Sequence, residues 1–217
     1  RPIHSIFIGG GTPSLLSAKA YQTLFSGIDH LIALPDDIEI TLEANPGTVE
    51  QSRFNDFRQA GINRLSLGIQ SLQDEKLKKL GRIHSAEEAI KAVKIAKDAG
   101  FTNFNVDLMF GLPEQTIEDA MFDLSQALSL EPTHLSWYQL TIEPNTYFYK
   151  FTPTLPGDDL IWKMQEKGQA LLEKNGFNQY EISAYAKTKK TCKNNLNYWQ
   201  FGDYLGIGAG AHSKITD

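Results

Sequence analysis

The chain has 217 residues, 41% of them hydrophobic, enough for a real hydrophobic core in one large domain or part of a larger protein. Its formal charge of −5 is spread without a basic stripe or a like-charge block, which argues against a nucleic-acid-binding surface or an anionic-membrane arm and points to a small-molecule partner. The single cysteine, Cys192, excludes an intrachain disulfide framework and any metal site built only from this chain's cysteines. No apolar run approaches the ~20 residues that span a bilayer and no signal-peptide pattern leads the chain, so the expected protein is cytoplasmic and without stable membrane insertion.

The first element is a short strand at 5–8 that runs straight into Gly9, Gly10 and Gly11, followed by Thr12, Pro13 and Ser14. This abrupt entry, together with the stop at "GAGAHSKITD", predicts a fragment. A helix follows, in which Tyr21, Leu24, Phe25, Ile28 and Leu31 keep the i, i+3, i+4, i+7 spacing of one buried face. Strand-like runs at 38–43, 64–70, 103–109 and 134–141 then alternate with amphipathic stretches. The helices carry their own punctuation: Thr48 with Gln51 and Ser85 with Glu88 read as capping boxes, and Gly61 and Gly100 stand where C′ glycines end helices. Beyond Pro144 the regularity breaks into a helix at 158–174, a strand at 179–186 and a glycine-rich segment, "FGDYLGIGAGAH", that could cover one edge of the fold. The expected organisation is therefore a barrel domain over 1–150 and the start of an α+β region over 151–217.

Repeated βα units of about 30 residues imply parallel strands, in a doubly wound sheet or in a full or partial barrel. A doubly wound sheet buries both strand faces under helices, whereas a barrel with an open lumen can keep one face polar. Here Ile38, Ile40 and Leu42 alternate with Glu39, Thr41 and Glu43, Leu65, Leu67 and Ile69 with Ser66, Gly68 and Gln70, and Phe104, Val106 and Leu108 with Asn105 and Asp107. The apolar set is expected on outer helices and the polar set in a lumen, which favours an α/β fold of the partial TIM-like barrel type with a ligand inside.

Such folds bind ligands at the carboxyl ends of their strands. Those ends hold Gly9 to Thr12, Glu43 with Asn45, Gln70, and Asp107 late in the fourth strand. Glycines there let the backbone press on a ligand with its own N–H and C=O groups, the alternative being a tight turn with no ligand. The stretch fits neither the G-x-G-x-x-G nor the G-x-x-x-x-G-K-[ST] phosphate loop. Carboxylates at the mouth suit an α-ammonium group or a ribose, though Glu43 could equally be solvated and Asp107 satisfied by a neighbouring turn. Arg82 could meet a ligand carboxylate or be an ordinary surface basic residue. His84, His134 and His212 lack metal-ligand spacing, and Cys192 reads as an ordinary thiol.

The ordered motifs "GGGTPS", "TLEANPGT", "RLSLGIQS", "LKKLGRIHS", "NVDLMFGLP" and "LSWYQLTIEPNT" resemble the radical S-adenosylmethionine (SAM) family that contains oxygen-independent coproporphyrinogen III oxidase, and most of all its heme-chaperone branch. The resemblance runs from Phe7 to His212. It implies a partial (β/α)6 barrel whose lumen holds a [4Fe-4S] cluster and SAM. It places the SAM methionyl group against Gly10, Gly11 and Thr12, with Glu43 at its amino group, and matches Gln70, Arg82, Asp107, Thr141 and His212 to SAM-contacting positions.

Two departures accompany the likeness. The family's CxxxCxxC cluster motif is absent, so the resemblance implies that the cluster ligands precede Arg1, that residues 1–217 alone neither hold the cluster nor cleave SAM, and that this chain contributes no metal or catalytic residue. The branch's "HNLNYW" signature reads "NNLNYW", with Asn194 at the histidine position, and an amide is a poor iron ligand compared with imidazole. The implied function is binding of heme, as a possible further cofactor, and its delivery to acceptor proteins such as respiratory enzymes. The alternative is oxidative decarboxylation of coproporphyrinogen III in porphyrin biosynthesis, in which the cluster's electron cleaves SAM and the resulting radical abstracts a substrate hydrogen.

Overall fold

The computed structural model describes residues 2–48 and 51–216. In chain order the elements are β1 (Ser5–Ile8), α1 (Ala18–Leu31), β2 (Glu39–Ala44), α2 (Gln51–Gln59), β3 (Arg64–Gln70), α3 (Asp74–Lys79), α4 (Ala86–Asp98), β4 (Phe104–Phe110), α5 (Ile117–Ser129) and β5 (His134–Gln139). They continue with α6 (Tyr147–Lys150), α7 (Asp158–Lys174), β6 (Asn178–Gln179), β7 (Ala184–Ala186) and α8 (Lys193–Trp199).

β1 to β5 are all parallel and lie in the sheet in the order of the sequence. That order separates the two expected architectures, because a doubly wound sheet reverses direction at a switch point and a barrel wall does not. Right-handed crossovers without a reversal keep the long helices on one side. There Leu42, Leu65, Leu67, Ile69, Val106 and Leu108 of the strands are buried in one core with Phe54, Phe57, Val93 and Leu124 of the helices. The opposite face carries the polar set, as the period-2 reading expects.

Local chemistry sets the element ends. Ser85 and Glu88 form the expected capping box, each bonding the other's backbone N–H, and Thr116 with Asp119 forms a second. The box read at Thr48 and Gln51 falls on side chains outside those described.

Three expectations change. In α1 only Tyr21 and Phe25 are buried, while Leu31 is 82% exposed. Among the described residues β1 has no strand on its other side, so part of the α1 stripe meets no wall and the burial runs through Tyr21 against Phe57 of α2. The strand read at 179–186 is a tight antiparallel hairpin of β6 and β7. Glu181 takes both the N–H and the hydroxyl of Ser183, drawing the chain into the turn, and β7 then pairs antiparallel with β5. The glycine-rich segment is half-buried around Gly202 to Tyr204 and Gly206, otherwise exposed, and closes on itself through a bridge between Tyr204 and Lys214, while α8, just before it, packs beside β1.

Candidate functional site

The triple glycine turns the chain at the carboxyl end of β1. Gly10 and Gly11 have φ of +77° and +57°, a left-handed conformation that side chains with a Cβ adopt only under strain. The turn places the Gly10 N–H 3.1 Å from Glu43 Oε2, which accepts its hydrogen bond. A Cβ on Gly9 would lie 2.8 Å from the same oxygen. The glycines thus have separate reasons: Gly9 makes room for Glu43, and Gly10 and Gly11 supply the backbone conformation, with open space where their Cβ atoms would be.

Glu43 stands at one side of an open cavity of about 260 Å³ at the carboxyl ends of the strands. Gly11, Gln70, Arg82 and Asp107 line the same cavity, together with Asn45. Five of the ten residues assigned to SAM by resemblance therefore share one mouth, and Gly9 and Gly10 shape it from the turn. Thr12 is half-buried beside it, with its carbonyl taking the Leu15 N–H. Thr141 is exposed and donates to Glu143 Oε1 at 2.9 Å. His212 is exposed on the loop after α8. Neither Thr141 nor His212 lines the mouth.

Burial raises the pKa of Glu43, and the neighbouring charge of Asp107 adds to the rise while the Gly10 N–H opposes it. Asp107 is raised for the same first reason, against hydrogen bonds from Asn105 Nδ2 at 2.7 Å, from Ser136 and from Ser66 Oγ at 3.2 Å. Both carboxylates line the cavity with acceptor capacity left over, Glu43 holding one hydrogen bond and Asp107 three of the roughly four that two oxygens can accept. Arg82 supplies a cation at the exposed rim. Two carboxylates within and a guanidinium at the rim suit a zwitterionic amino-acid group, with its ammonium inside and its carboxylate outward.

Tyr138 was absent from the sequence reading although it continues the lumen alternation of His134 and Ser136. Its hydroxyl donates to Gln70 Oε1 at 2.7 Å, and burial pushes its pKa up to about 12. Gln70 itself has φ of +70° beside an irregularity in the β3–β4 register, so Tyr138 braces a strained residue facing the cavity. The histidines stay out of the mouth's chemistry. His84 is buried with Nε2 3.0 Å from the Ile69 carbonyl, and His134 lies among lumen side chains at the start of β5. Cys192 is buried at that amino end of the strands, its thiol donating to Glu39 Oε1 at 3.4 Å.

The family pattern described as "Radical SAM superfamily" matches residues 1–125. The heme chaperone HemW of Escherichia coli is 58% identical over 216 residues, covering 100% of this chain and 57% of that protein. The mouse mitochondrial radical S-adenosyl methionine domain-containing protein 1 is 41% identical, covering 99% of this chain and 49% of that one. Among solved structures, the E. coli radical SAM enzyme coproporphyrinogen III oxidase (HemN) superposes with a TM-score of 0.84 at 25% identity, over 99% of this chain and 53% of the enzyme. The chain spans about half the length of these relatives. With the family pattern covering more than half of its residues, the chain belongs to the radical SAM superfamily.

Proposed function

We propose that these residues form the SAM-binding barrel of a heme chaperone of the HemW kind, which binds heme and delivers it to acceptor proteins. The observation that carries the SAM part is the mouth, where Glu43 and Asp107 hold free acceptor capacity beside the Gly10–Gly11 turn. Glu43 and Asp107 would take the ammonium group of SAM, Arg82 its carboxylate, and the turn would face it with bare backbone; Thr12, Thr141 and His212 remain proposed contacts from the family likeness. SAM, when bound, supplies this superfamily's radical chemistry. A [4Fe-4S] cluster, which the superfamily implies, does not fit the residues present, because the chain's one cysteine is committed to Glu39 at the far end of the lumen.

The heme-delivery part is supported by the 58% identity with E. coli HemW over the whole chain. Asn194, on α8, is not proposed as an iron ligand. No helix among the described residues is long and apolar enough to cross a membrane, and a cytoplasmic location is proposed with this function. Residues 1–150 are proposed as the barrel and 151–217 as the start of an α+β region.

The test uses the full-length protein prepared anaerobically. Calorimetry should show SAM binding, and visible absorbance should show stable heme uptake followed by transfer to an apo-hemoprotein. No SAM binding would overturn the reading of the mouth. Formation of protoporphyrinogen from coproporphyrinogen III, without heme transfer, would replace the chaperone by the oxidase.

A further inference from the structure

The lumen's polar groups continue from the mouth down to the amino ends of the strands. His134 is buried there, with Nδ1 2.6 Å from Asn105 Oδ1 and Nε2 2.6 Å from the Tyr180 hydroxyl. The order of donors along this line is set by its upper end. Asn105 Nδ2 uses both hydrogens, one to Ser66 Oγ at 2.8 Å and one to Asp107 Oδ1 at 2.7 Å. Asn105 Oδ1 is therefore the acceptor, and His134 must carry its proton on Nδ1. Burial, and secondarily the Arg64 guanidinium, hold the imidazole pKa well below its usual value, so the ring is neutral and Nε2 is bare. That nitrogen accepts the Tyr180 O–H. The Tyr180 oxygen in turn accepts the Cys192 N–H at 3.3 Å and Asn195 Nδ2 at 3.4 Å. Every donor points one way, from the start of α8 to the carboxylate in the mouth.

An ionised carboxylate accepts and never donates, so it permits only this order. An amide in its place can donate. Asn105 could then flip, presenting Oδ1 to Ser66 and the new amide and Nδ2 to Ser136 Oγ and His134 Nδ1. The neutral imidazole would carry its one proton on Nε2, donate to Tyr180, and turn the Tyr180 O–H toward a flipped Asn195. The whole line has two self-consistent directions, which makes it a two-state element.

We infer that His134 and Tyr180 are positioning residues through which the charge of Asp107 in the mouth sets the orientation of Asn195 and the hold on Cys192 at the start of α8. A cationic ligand group at Asp107 keeps the carboxylate ionised and locks the forward direction. Only the nature of that ligand rests on the SAM reading; the line itself is tested without any ligand.

The experiment is imidazole ¹⁵N NMR of the full-length protein at a pH above the raised Asp107 pKa, where the carboxylate is ionised without ligand, with His84 as internal reference because its Nε2 faces the Ile69 carbonyl and must be the protonated nitrogen. His134 should be neutral with its proton on Nδ1, and in Asp107→Asn the Nε2–H form should appear. Hydrogen exchange of the backbone amides from Cys192 to Asn195 should change about threefold on Asp107→Asn, and that response should vanish in a Tyr180→Phe background. His134→Gln, which keeps a donor on one side and an acceptor on the other, should retain the response, and His134→Leu should lose it. A His134 proton on Nε2 in the wild type overturns the inference whether or not the variants fold. An unchanged tautomer in Asp107→Asn, or an exchange response that survives Tyr180→Phe, overturns it as well. Because no arm uses SAM, failure of the SAM reading leaves each of these outcomes readable.

Discussion

Trp137 and Tyr138 are neighbours on β5 and face opposite ways. Trp137 is buried on the outer face, its ring 4.4 Å from that of Phe110 and wedged against Gly168 of α7. Tyr138 points into the lumen, where its hydroxyl braces Gln70 at the edge of the cavity. The ring of Trp137 is enclosed by the chain's own side chains, although its Nε1–H has no hydrogen-bond partner among the described residues, so that face carries stability. At the mouth the chain leaves acceptor capacity uncommitted, so that face carries binding. If this division is right, substitutions on the two faces should have separable effects.

The largest effect belongs to the outer face. A Cβ on Gly168 would lie 1.9 Å from Trp137 Cη2 and 2.3 Å from Cζ3, inside any permitted contact. Gly168→Ala must therefore move the indole or α7, at a cost of about 3 kcal/mol. Denaturant unfolding of the full-length protein should show that loss, while the SAM affinity of the remaining folded protein stays the same. An unchanged midpoint would mean that α7 is not held by this wedge.

Glu43→Gln is the mirror experiment. The amide oxygen still accepts the Gly10 N–H, so the turn survives and only the charge goes. Loss of a charge-assisted bond, about 1.5 to 3 kcal/mol, should weaken SAM binding by roughly 10- to 100-fold with no loss of ligand-free stability, since a partly desolvated charge is removed. Calorimetry on the full-length variant checks it, and wild-type affinity would remove Glu43 from the site.

Gly10→Val tests the turn itself. A β-branched residue at φ of +77° is strained by about 1 to 2 kcal/mol, and the strain falls on the segment that holds Glu43. SAM affinity should drop by about tenfold, and the unfolding midpoint should fall by no more than that strain, because Gly10 is exposed and buries no core. Normal affinity would show that the left-handed turn is not needed by the ligand.

Much of this division was legible in the sequence, for a physical reason. A wall with an apolar outside and a polar inside must alternate with period 2, so the spacing of Glu43, Ser66, Gln70 and Asp107 reports the lumen directly. The strand ends then locate the mouth. Other features depend on contacts that spacing does not encode. The turn between β6 and β7 is drawn in by Glu181, which accepts from the N–H and hydroxyl of Ser183 two residues ahead, beside Gln179 Nε2 donating to the Ile182 carbonyl. The exposure of Leu31 depends on what stands beside β1, which no periodicity within α1 records. Gly9 looked like a residue cleared for a ligand, and its missing Cβ is first of all space for Glu43, 34 residues later in the chain. Tyr138 carried a readable signal, the parity of His134 and Ser136, that its aromatic character obscured.

The smallest effect, and the one that ties the mouth to charge, is its pH dependence. Burial raises the pKa of both Glu43 and Asp107, so without ligand the folded protein binds more protons than the unfolded chain between the ordinary carboxylate range and the raised values. The stability from this source is complete below the ordinary carboxylate range and is lost as pH rises through the raised values. A cationic ligand favours the ionised carboxylates and must displace those protons. SAM affinity should therefore rise with pH across the same window, by at most about tenfold per unit for one proton released. Calorimetry in two buffers of different ionisation heat reads the released proton directly, and Glu43→Gln should reduce it. Proton uptake, or an affinity that is flat with pH, would mean that the ligand's cation does not meet these carboxylates and that the free capacity of the inner face serves another group.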